Sequence, residues 1–283
     1  GHTGSLDPLA SGVLPICFGE ATKFSRFLLD ADKTYLVTAQ LGVITDSGDS
    51  EGNIIAEHPV PTFTREHLLS HIVKFLGATK QVPSMYSALK QNGQPLYKLA
   101  RQNITVERAA RDIIVYSYEL LSFNAEQITC KIHCSKGTYI RTLIEDLGLS
   151  LGCGAHVIQL RRTQVAKYPN DKMLSLEKLN EILDECREQG IPPREKLDYY
   201  LLPMDSAVSN LPEVNMSSIL AAYVTQGQAV MVPHALTEGF VRMTVGPEAE
   251  FIGVGEIDED GKVAPRRLVR IGGDMPDADD QAE

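Results

Sequence analysis

The sequence lacks a paired-cysteine motif, a long apolar run and a recognisable leader. Its five cysteines are scattered and form no C-x-x-C pair, which argues against a disulfide framework and against a zinc knuckle. No stretch approaches the roughly 20 consecutive apolar residues of a spanning helix, and no basic segment followed by an apolar one opens the chain. We therefore expect a cytoplasmic protein that keeps its thiols reduced.

A positive net charge is also lacking. The formal charge of −10 argues at first against a nucleic-acid partner, because phosphate binding draws on lysine and arginine. The last ten residues, however, carry five acids and no base, which is typical of a solvated acidic tail. In both 80–112 and 131–170, six bases stand against two acids. The sequence thus contains two positive islands, which are either solvated faces or parts of one binding surface.

Hydrophobic periodicity predicts a mixed α+β fold. Alternating residues predict strands at 13–18, 33–41, 112–123, 127–134 and 157–168, and helical spacing predicts helices at 65–76, 138–151, 176–189 and 216–226. The stretch 81–111 mixes prolines, glycine and bases, which favours a long excursion with one short helix. Beyond a boundary near 205, short strands at 229–232, 240–245, 251–257 and 263–271 predict a small β-rich domain.

The first candidate for chemistry is Asp7, in the string GHTGSLDPLASGVLP. Pro8 biases Asp7 away from the helical region and brings no amide donor, while Gly4 and Gly12 flank the loop. The carboxylate is therefore held in a stiff turn. From these residues alone it is either a presented nucleophile or an aspartate that caps the turn.

This string is similar to the G-H-T-G-x-L-D-P-x-A-x-G-x-L-P motif of the TruB family of tRNA pseudouridine-55 synthases. The resemblance continues in the order of that family through GEATK, DKTY, PSMYSALKQNGQPLYKLAR, CSKGTYIRTLIEDLG and AHVIQLRRT. Several specific strings in one order make coincidence implausible. Members of the family carry further residues before this loop, so the resemblance also implies that part of the catalytic domain precedes Gly1.

The resemblance implies a catalytic α+β domain at 1–204, built on a mixed and largely antiparallel sheet, with a thumb-like insertion at about 83–111. A small β-rich, PUA-like RNA-binding domain follows at 205–273, and an acidic tail at 274–283. The implied activity is isomerisation of one T-loop uridine of tRNA, bound through the T-arm stem-loop, by a cytoplasmic monomer with no membrane attachment and no obligate protein partner. No cofactor and no metal are needed, because the reaction transfers neither electrons nor a group from a donor.

The resemblance also assigns roles to residues. Asp7 is the catalytic carboxylate, which attacks C1′ or C6 or stabilises positive charge at C1′. Arg141 pairs with Asp7 and keeps it ionised, and Tyr35 stacks on the flipped uracil. The substrate-binding positions are His2, Lys23, Tyr139, Leu160, Lys90, Lys98 and Arg101.

Three alternatives remain at this point. A nucleosidase would use the same carboxylate on a free nucleoside, but the sequence offers no evident second acid. A non-catalytic RNA-binding module would keep the insertion and the C-terminal domain, and the presence of Asp7, Tyr35 and Arg141 argues against it. A guide-RNA-dependent relative usually varies the residues after Asp7-Pro8, whereas this sequence has the pattern of a stand-alone bacterial enzyme.

Overall fold

The computed structural model describes residues 1–102, 104–169, 173–233, 235 and 237–270. The chain divides into two compact units. We call Gly4–Pro15 together with Leu29–Ser175 the central unit, and Gly1–Thr3, Ile16–Leu28 and the chain from Leu176 onward the terminal unit. In the parts of the chain described here, no helix has the length and apolar character needed to cross a membrane.

The central unit is a sheet with helices packed on it. Its strands are β1 (Ala10–Gly12), β2 (Lys33–Leu41), β3 (Val43–Thr45), β4 (Ile54–Glu57), β5 (Gly77–Gln81), β6 (Lys90–Gln91), β7 (Gln94–Pro95), β8 (Arg111–Phe123), β9 (Gln127–Cys134), β10 (Ala155–Val165) and β11 (Tyr168–Pro169). Helix α1 (Ser25–Leu29) leads into this unit, whose own helices are α2 (Arg65–Ile72), α3 (Leu96–Ala100) and α4 (Ile140–Ser150).

The main sheet runs in the order β1-β10-β2-β9-β8-β5. Strand β1 lies parallel to β10, and the other neighbours are antiparallel. On β2 every second residue (Val37, Ala39, Leu41) is buried, as expected for a strand with one face in the core. Helix α4 covers that face with Leu143, Ile144 and Leu147, which recur at helical spacing and are almost fully buried.

The terminal unit contains α5 (Leu176–Gln189), α6 (Arg194–Leu197), α7 (Ser218–Thr225) and the strands β12 (Glu213–Met216), β13 (Gly239–Val245), β14 (Glu250–Ile257) and β15 (Val263–Leu268). Its sheet has the order β12-β13-β14-β15, with β12 parallel to β13. The core of this unit includes Val224, Val241 and Met243, all fully buried. Phe24 from the N-terminal segment packs edge-on against Phe251 at 5.2 Å between ring centroids.

The fold class predicted from the sequence is confirmed, since helices pack on a mixed sheet and a β-rich C-terminal part follows. Strands β2 and β9 and helix α5 have the predicted bounds, and the predicted pairing of β8 with β9 is present. Among its described residues, 81–102 and 104–111, the excursion contains one short helix, α3, as expected.

Two predicted strands are wrong. The stretch 13–18 is not a strand, because Pro15 has no amide donor and interrupts any ladder; β1 lies just before it instead. The stretch 229–232 contributes only an isolated bridge between Val230 and Val263, and Pro233 follows it. Within the described residues, seven strands lie outside the predicted strand ranges: β1, β3, β4, β5, β6, β7 and β12.

The predicted domain limits differ from the compact units. The fold groups α5 with the C-terminal strands, and the change of compact unit falls at Leu176. The limits at 204 and 273 stay predictions. The predicted acidic tail lies outside the described residues.

Candidate active site

A pocket of about 110 Å³ opens in the central unit. The loop before β1, the beginning of β2, the start of α4 and the middle of β10 meet there. Its lining includes five of the site residues predicted from the sequence motifs: Asp7, Tyr35, Tyr139, Arg141 and Leu160. The fold thus gathers into one pocket side chains that are far apart in the sequence.

Local sequence explains how α4 presents Arg141. Gly137, which follows β9, adopts a φ of +76°, and at this residue the chain turns from the strand into the helix. Both backbone groups of Tyr139, just before α4, are bound by the buried side chain of Gln81: Tyr139 N donates to Oε1 at 2.8 Å, and Nε2 donates to Tyr139 O at 3.0 Å. The first turn of α4, which carries Arg141, is therefore fixed to the end of β5.

Every nitrogen of the Arg141 guanidinium has a partner. Nε lies 3.0 Å from Asp7 Oδ2, and Nη1 lies 3.3 Å from Asp49 Oδ2. Nη1 also donates to the Ser47 carbonyl at 3.0 Å, and Nη2 donates to the Tyr86 carbonyl at 2.7 Å. Only 4% of the side chain is exposed, so the planar guanidinium is held in one orientation, with its Nε directed at Asp7.

Asp49 is a site residue that the sequence analysis missed. It is 3% exposed, and its Oδ1 accepts hydrogen bonds from Ser47 Oγ at 2.6 Å and from the Glu51 amide at 3.0 Å. Its other oxygen faces Arg141. The available signal was an aspartate in the glycine-flanked turn SGDSEG, which in sequence looks like any polar turn.

The electrostatics of Asp7 are set by opposing effects. Burial raises the pKa of its carboxyl, Arg141 lowers it, and Asp49 raises it further; the net direction is upward. Burial together with the charge of Asp49 therefore outweighs the lowering of the pKa by Arg141. In the described part of the chain no hydrogen bond reaches Asp7 Oδ1, so this oxygen remains available to a ligand.

Tyr35 and Leu160 form the apolar side of the pocket. Tyr35 continues the buried face of β2, and Leu160 lies on the neighbouring strand β10. Burial raises the pKa of the Tyr35 hydroxyl to about 12, with the Cys134 thiol adding to the rise and Arg162 opposing it. The ring is therefore neutral at physiological pH, as a stacking surface for a base requires.

The predicted phosphate contacts of the insertion lie apart from these buried groups. Lys90 begins the short hairpin of β6 and β7, and Lys98 and Arg101 belong to α3 and its C-terminal end; all three are exposed. The Arg101 guanidinium carbon lies 5.7 Å from the centroid of the Tyr97 ring. The insertion also reaches the pocket, because the Tyr86 carbonyl is a partner of Arg141.

The two remaining predicted positions, His2 and Lys23, belong to the terminal unit. His2 is exposed and forms an isolated antiparallel bridge with Ile16. Lys23 Nζ donates to Glu20 Oε2 at 2.6 Å and to the Leu268 carbonyl at 3.0 Å. The lysine thus already has partners within its own unit.

No group of three or more histidine, cysteine or acidic side chains that could hold a metal ion occurs within the described ranges. The pocket lining provides the carboxylate of Asp7, the guanidinium groups of Arg141 and Arg162, the phenols of Tyr35 and Tyr139, and apolar side chains. This set suits the binding of a flat, uncharged ring, with a nucleophile or a charge stabiliser placed next to it.

Family models cover nearly the whole chain. A model described as "TruB family pseudouridylate synthase (N terminal domain)" matches residues 1–140. One described as "tRNA pseudouridylate synthase B C-terminal domain" matches 141–209, and "Pseudouridine synthase II TruB, C-terminal" matches 212–269.

Curated relatives and solved structures agree with the family models. The chain is 74% identical to tRNA pseudouridine synthase B of Tolumonas auensis, over 100% of this chain and 87% of that protein. It is 60% identical to the protein of the same name from Aeromonas salmonicida, over 95% and 84%. A Cbf5-Nop10-Gar1 complex matches at a TM-score of 0.71 and 26% identity, over 95% of this chain and 75% of that one.

Proposed function

Because the chain belongs to the TruB family and is a tRNA pseudouridine synthase, we propose that it converts one uridine in the T-loop of tRNA to pseudouridine, with Asp7 as the catalytic carboxylate. The observation that carries the proposal is the geometry of Asp7. One carboxylate oxygen is fixed by a buried guanidinium, and the other is left available beside an aromatic ring and an apolar wall.

The reaction breaks the bond between N1 and C1′, turns the uracil and joins C5 to C1′. All atoms stay within the nucleotide apart from a proton that leaves C5 and one that is returned to N1. Asp7 Oδ1 serves by attack at C1′ or C6, or by stabilising positive charge at C1′ while the base is detached. In each version the carboxylate must be ionised, and Arg141 favours that form against the effect of burial.

Tyr35 provides the ring on which the extruded uracil stacks. Taking a base out of a folded loop costs a few kcal/mol, which stacking on an aromatic ring partly offsets. Leu160, on the neighbouring strand β10, adds apolar surface to the same side of the pocket. Together the two side chains give the site an apolar surface that suits a flat base.

Recognition of the T-arm is assigned to the insertion and to the C-terminal β strands. Lys90, Lys98 and Arg101 lie exposed on the insertion, where they are free to meet backbone phosphates. We assign the enzyme to the cytoplasm, as a monomer without an obligate protein partner.

The nucleosidase alternative is disfavoured, because the described pocket presents Asp7 without a second carboxylic acid in its lining.

The decisive experiment compares wild type with Asp7→Asn on an unmodified T-arm hairpin and on full-length tRNA. We expect pseudouridine formation to be abolished while tRNA affinity changes by less than about threefold, since the amide keeps the size of the side chain. Pseudouridine is mapped by carbodiimide-blocked primer extension. Normal turnover by Asp7→Asn would remove Asp7 from the mechanism, and modification of a position outside the T-loop would refute the proposed target.

A further inference from the structure

The pocket contains a second buried guanidinium that the roles given so far do not use. Arg162 lies in the middle of β10, lines the pocket and is 2% exposed. Within the described residues it forms no ion pair with a carboxylate. A buried cation without a carboxylate is costly unless its hydrogen bonds are well placed.

The hydrogen bonds of Arg162 go to the two ends of the segment 4–13, which carries Asp7 and includes β1. We call this segment the Asp7 loop. Nε donates to the Val13 carbonyl at 2.7 Å, and Nη2 donates to the Gly4 carbonyl at 3.0 Å. Both carbonyls belong to backbone that is otherwise outside the main ladder. One side chain thus spans the loop from its first residue to its last.

The backbone of Arg162 holds the same loop. Strand β1 pairs with β10 so that Gly12 is opposite Arg162, and the Arg162 carbonyl accepts from Val13 N at 2.8 Å. Gly12 has a φ of +109°, and a Cβ there would lie 2.1 Å from the Arg162 carbonyl oxygen. The close approach of loop and strand therefore requires glycine at this position.

The third neighbour of this side chain is Tyr35. Arg162 and Tyr35 are directly opposite in the antiparallel register of β10 and β2, and both line the pocket. The Arg162 side chain therefore binds both ends of the Asp7 loop and lies beside Tyr35. A lysine has a single point of charge and cannot make this set of directed contacts.

We propose that Arg162 is a positioning residue, which fixes the Asp7 loop beside Tyr35 through hydrogen bonds to the carbonyls of Gly4 and Val13 and through its place opposite Tyr35 in the sheet. The inference rests on the proposed role of Asp7. It concerns the rate of the chemical step, because the side chain is buried and its hydrogen bonds go to the backbone of the segment that carries Asp7. A displacement of about 1 Å of a reacting group costs on the order of a hundredfold in rate.

The test uses single-turnover kinetics with enzyme in excess over tRNA, for wild type, Arg162→Lys, Arg162→Met and the control Arg161→Lys. Arg161 is the neighbour on β10, and its Nη1 reaches only the Ser11 hydroxyl at 3.2 Å. We expect both Arg162 variants to lower the rate constant by roughly ten- to a hundredfold, with the dissociation constant for tRNA within about threefold of wild type. The control should retain the wild-type rate.

The outcomes separate positioning from a merely structural role. The amplitude of the single-turnover reaction reports how much of the enzyme is folded and active. A variant with a lower amplitude but an unchanged rate constant would overturn the proposal, because the active molecules would then react at the wild-type rate. Loss of folding in both the Lys and the Met variant would overturn it as well, since Arg162 would then only support the fold. Asp7→Asn, run in parallel, separates the two proposals: turnover by that variant refutes the role of Asp7, whereas an inactive Asp7→Asn with a fully active Arg162→Lys refutes only the role of Arg162.

Discussion

At the scale of single residues, the site is organised by competition for one guanidinium. Arg141 makes ion pairs with Asp7 and Asp49, and on the next turn of α4 it also acts on the carboxyl of Glu145. A cation that is shared in this way stabilises each carboxylate less than it would stabilise one alone. Burial is the largest cause that raises the pKa of Asp7, and the charge of Asp49 adds to it, so the pKa is raised although an arginine lies 3.0 Å away.

The sharing predicts the effect of Asp49→Asn. Removal of this charge takes away one of the causes that raise the pKa of Asp7, so the acidic limb of the pH–rate profile should move to lower pH. The plateau rate should fall roughly tenfold, because a charge-assisted hydrogen bond of about 1.5–3 kcal/mol that orients Arg141 is weakened. The profile is measured under single-turnover conditions from pH 5 to 9.

Glu51→Gln is the matched control, since that side chain is exposed on the same turn and only its backbone amide binds Asp49. It should leave the profile unchanged. A limb that moves to higher pH in Asp49→Asn would contradict the electrostatic account.

Glu145 gives a prediction about stability. Burial, followed by the charge of Asp146, raises the pKa of this carboxyl from 4.5 to about 7. A carboxyl whose pKa is raised by folding adds to the free energy of unfolding while it is protonated. This contribution is fully present below pH 4.5 and is lost as the pH rises through about 7. The stability of Glu145→Gln relative to wild type should therefore increase as the pH rises from 4.5 through about 7. At pH 8 the gain in the free energy of unfolding should be at most about 3 kcal/mol. Urea denaturation at pH 5 and pH 8 measures the difference.

Glu119→Gln, at an exposed position of β8, is the control for this comparison. The opposite result would be a stability gain of Glu145→Gln over wild type that is larger at pH 5 than at pH 8. It would contradict the account, because the ionised carboxylate would then be stabilised in the folded protein.

At the scale of elements, the insertion combines exposed bases with a direct contact to the site. Lys90, Lys98 and Arg101 changed together to glutamine should weaken tRNA binding and reduce the slope of log affinity against log salt by about 2 units. The measurement is a binding isotherm at several salt concentrations. Lys178, Arg187 and Lys196 changed to glutamine are the control, because each is already paired with a carboxylate.

An unchanged affinity and salt slope in the first triple variant would refute the assignment of the insertion to RNA binding. An equal loss in both triple variants would point to an effect of overall charge.

The elements that were predictable from sequence are those whose pattern is local. Strand β2 alternates buried and half-buried residues, and α5 repeats apolar positions at helical spacing, so their bounds follow from periodicity. Strand β5 has the sequence GATKQ, four of its five residues are exposed, and it is held by pairing with β8 at the sheet edge. Nothing in its own side chains marks it as a strand.

The same distinction applies to the site. Asp7, Tyr35 and Arg141 could be assigned because each stands in a motif, whereas the roles of Asp49 and Arg162 arise from tertiary contacts. Asp49 meets Arg141 only when the turn after β3 folds back onto α4. Arg162 stands in the string AHVIQLRRT and in a positive island, but the sequence assigns it no role, because its partners Gly4 and Val13 are far away in the chain.

At the scale of the molecule, the chain passes repeatedly between its two units. The segment Ile16–Leu28 belongs to the terminal unit although it follows the Asp7 loop directly. Phe24 of this segment is fully buried against Phe251 of β14. Stability of the C-terminal sheet therefore depends on residues close to the N-terminus.

Phe24→Ala tests this dependence. Loss of a fully buried phenylalanine costs roughly 3–5 kcal/mol, and we expect the loss to fall on the terminal unit. Hydrogen exchange should show reduced protection of β13 and β14, while β2 and β9 keep theirs. The control is Phe18→Ala in the same segment, where the ring is 67% exposed and its removal should change little. Equal loss of protection in both sheets would mean that the two units unfold as one, and unchanged protection in β14 would exclude Phe24 from the core of the terminal unit.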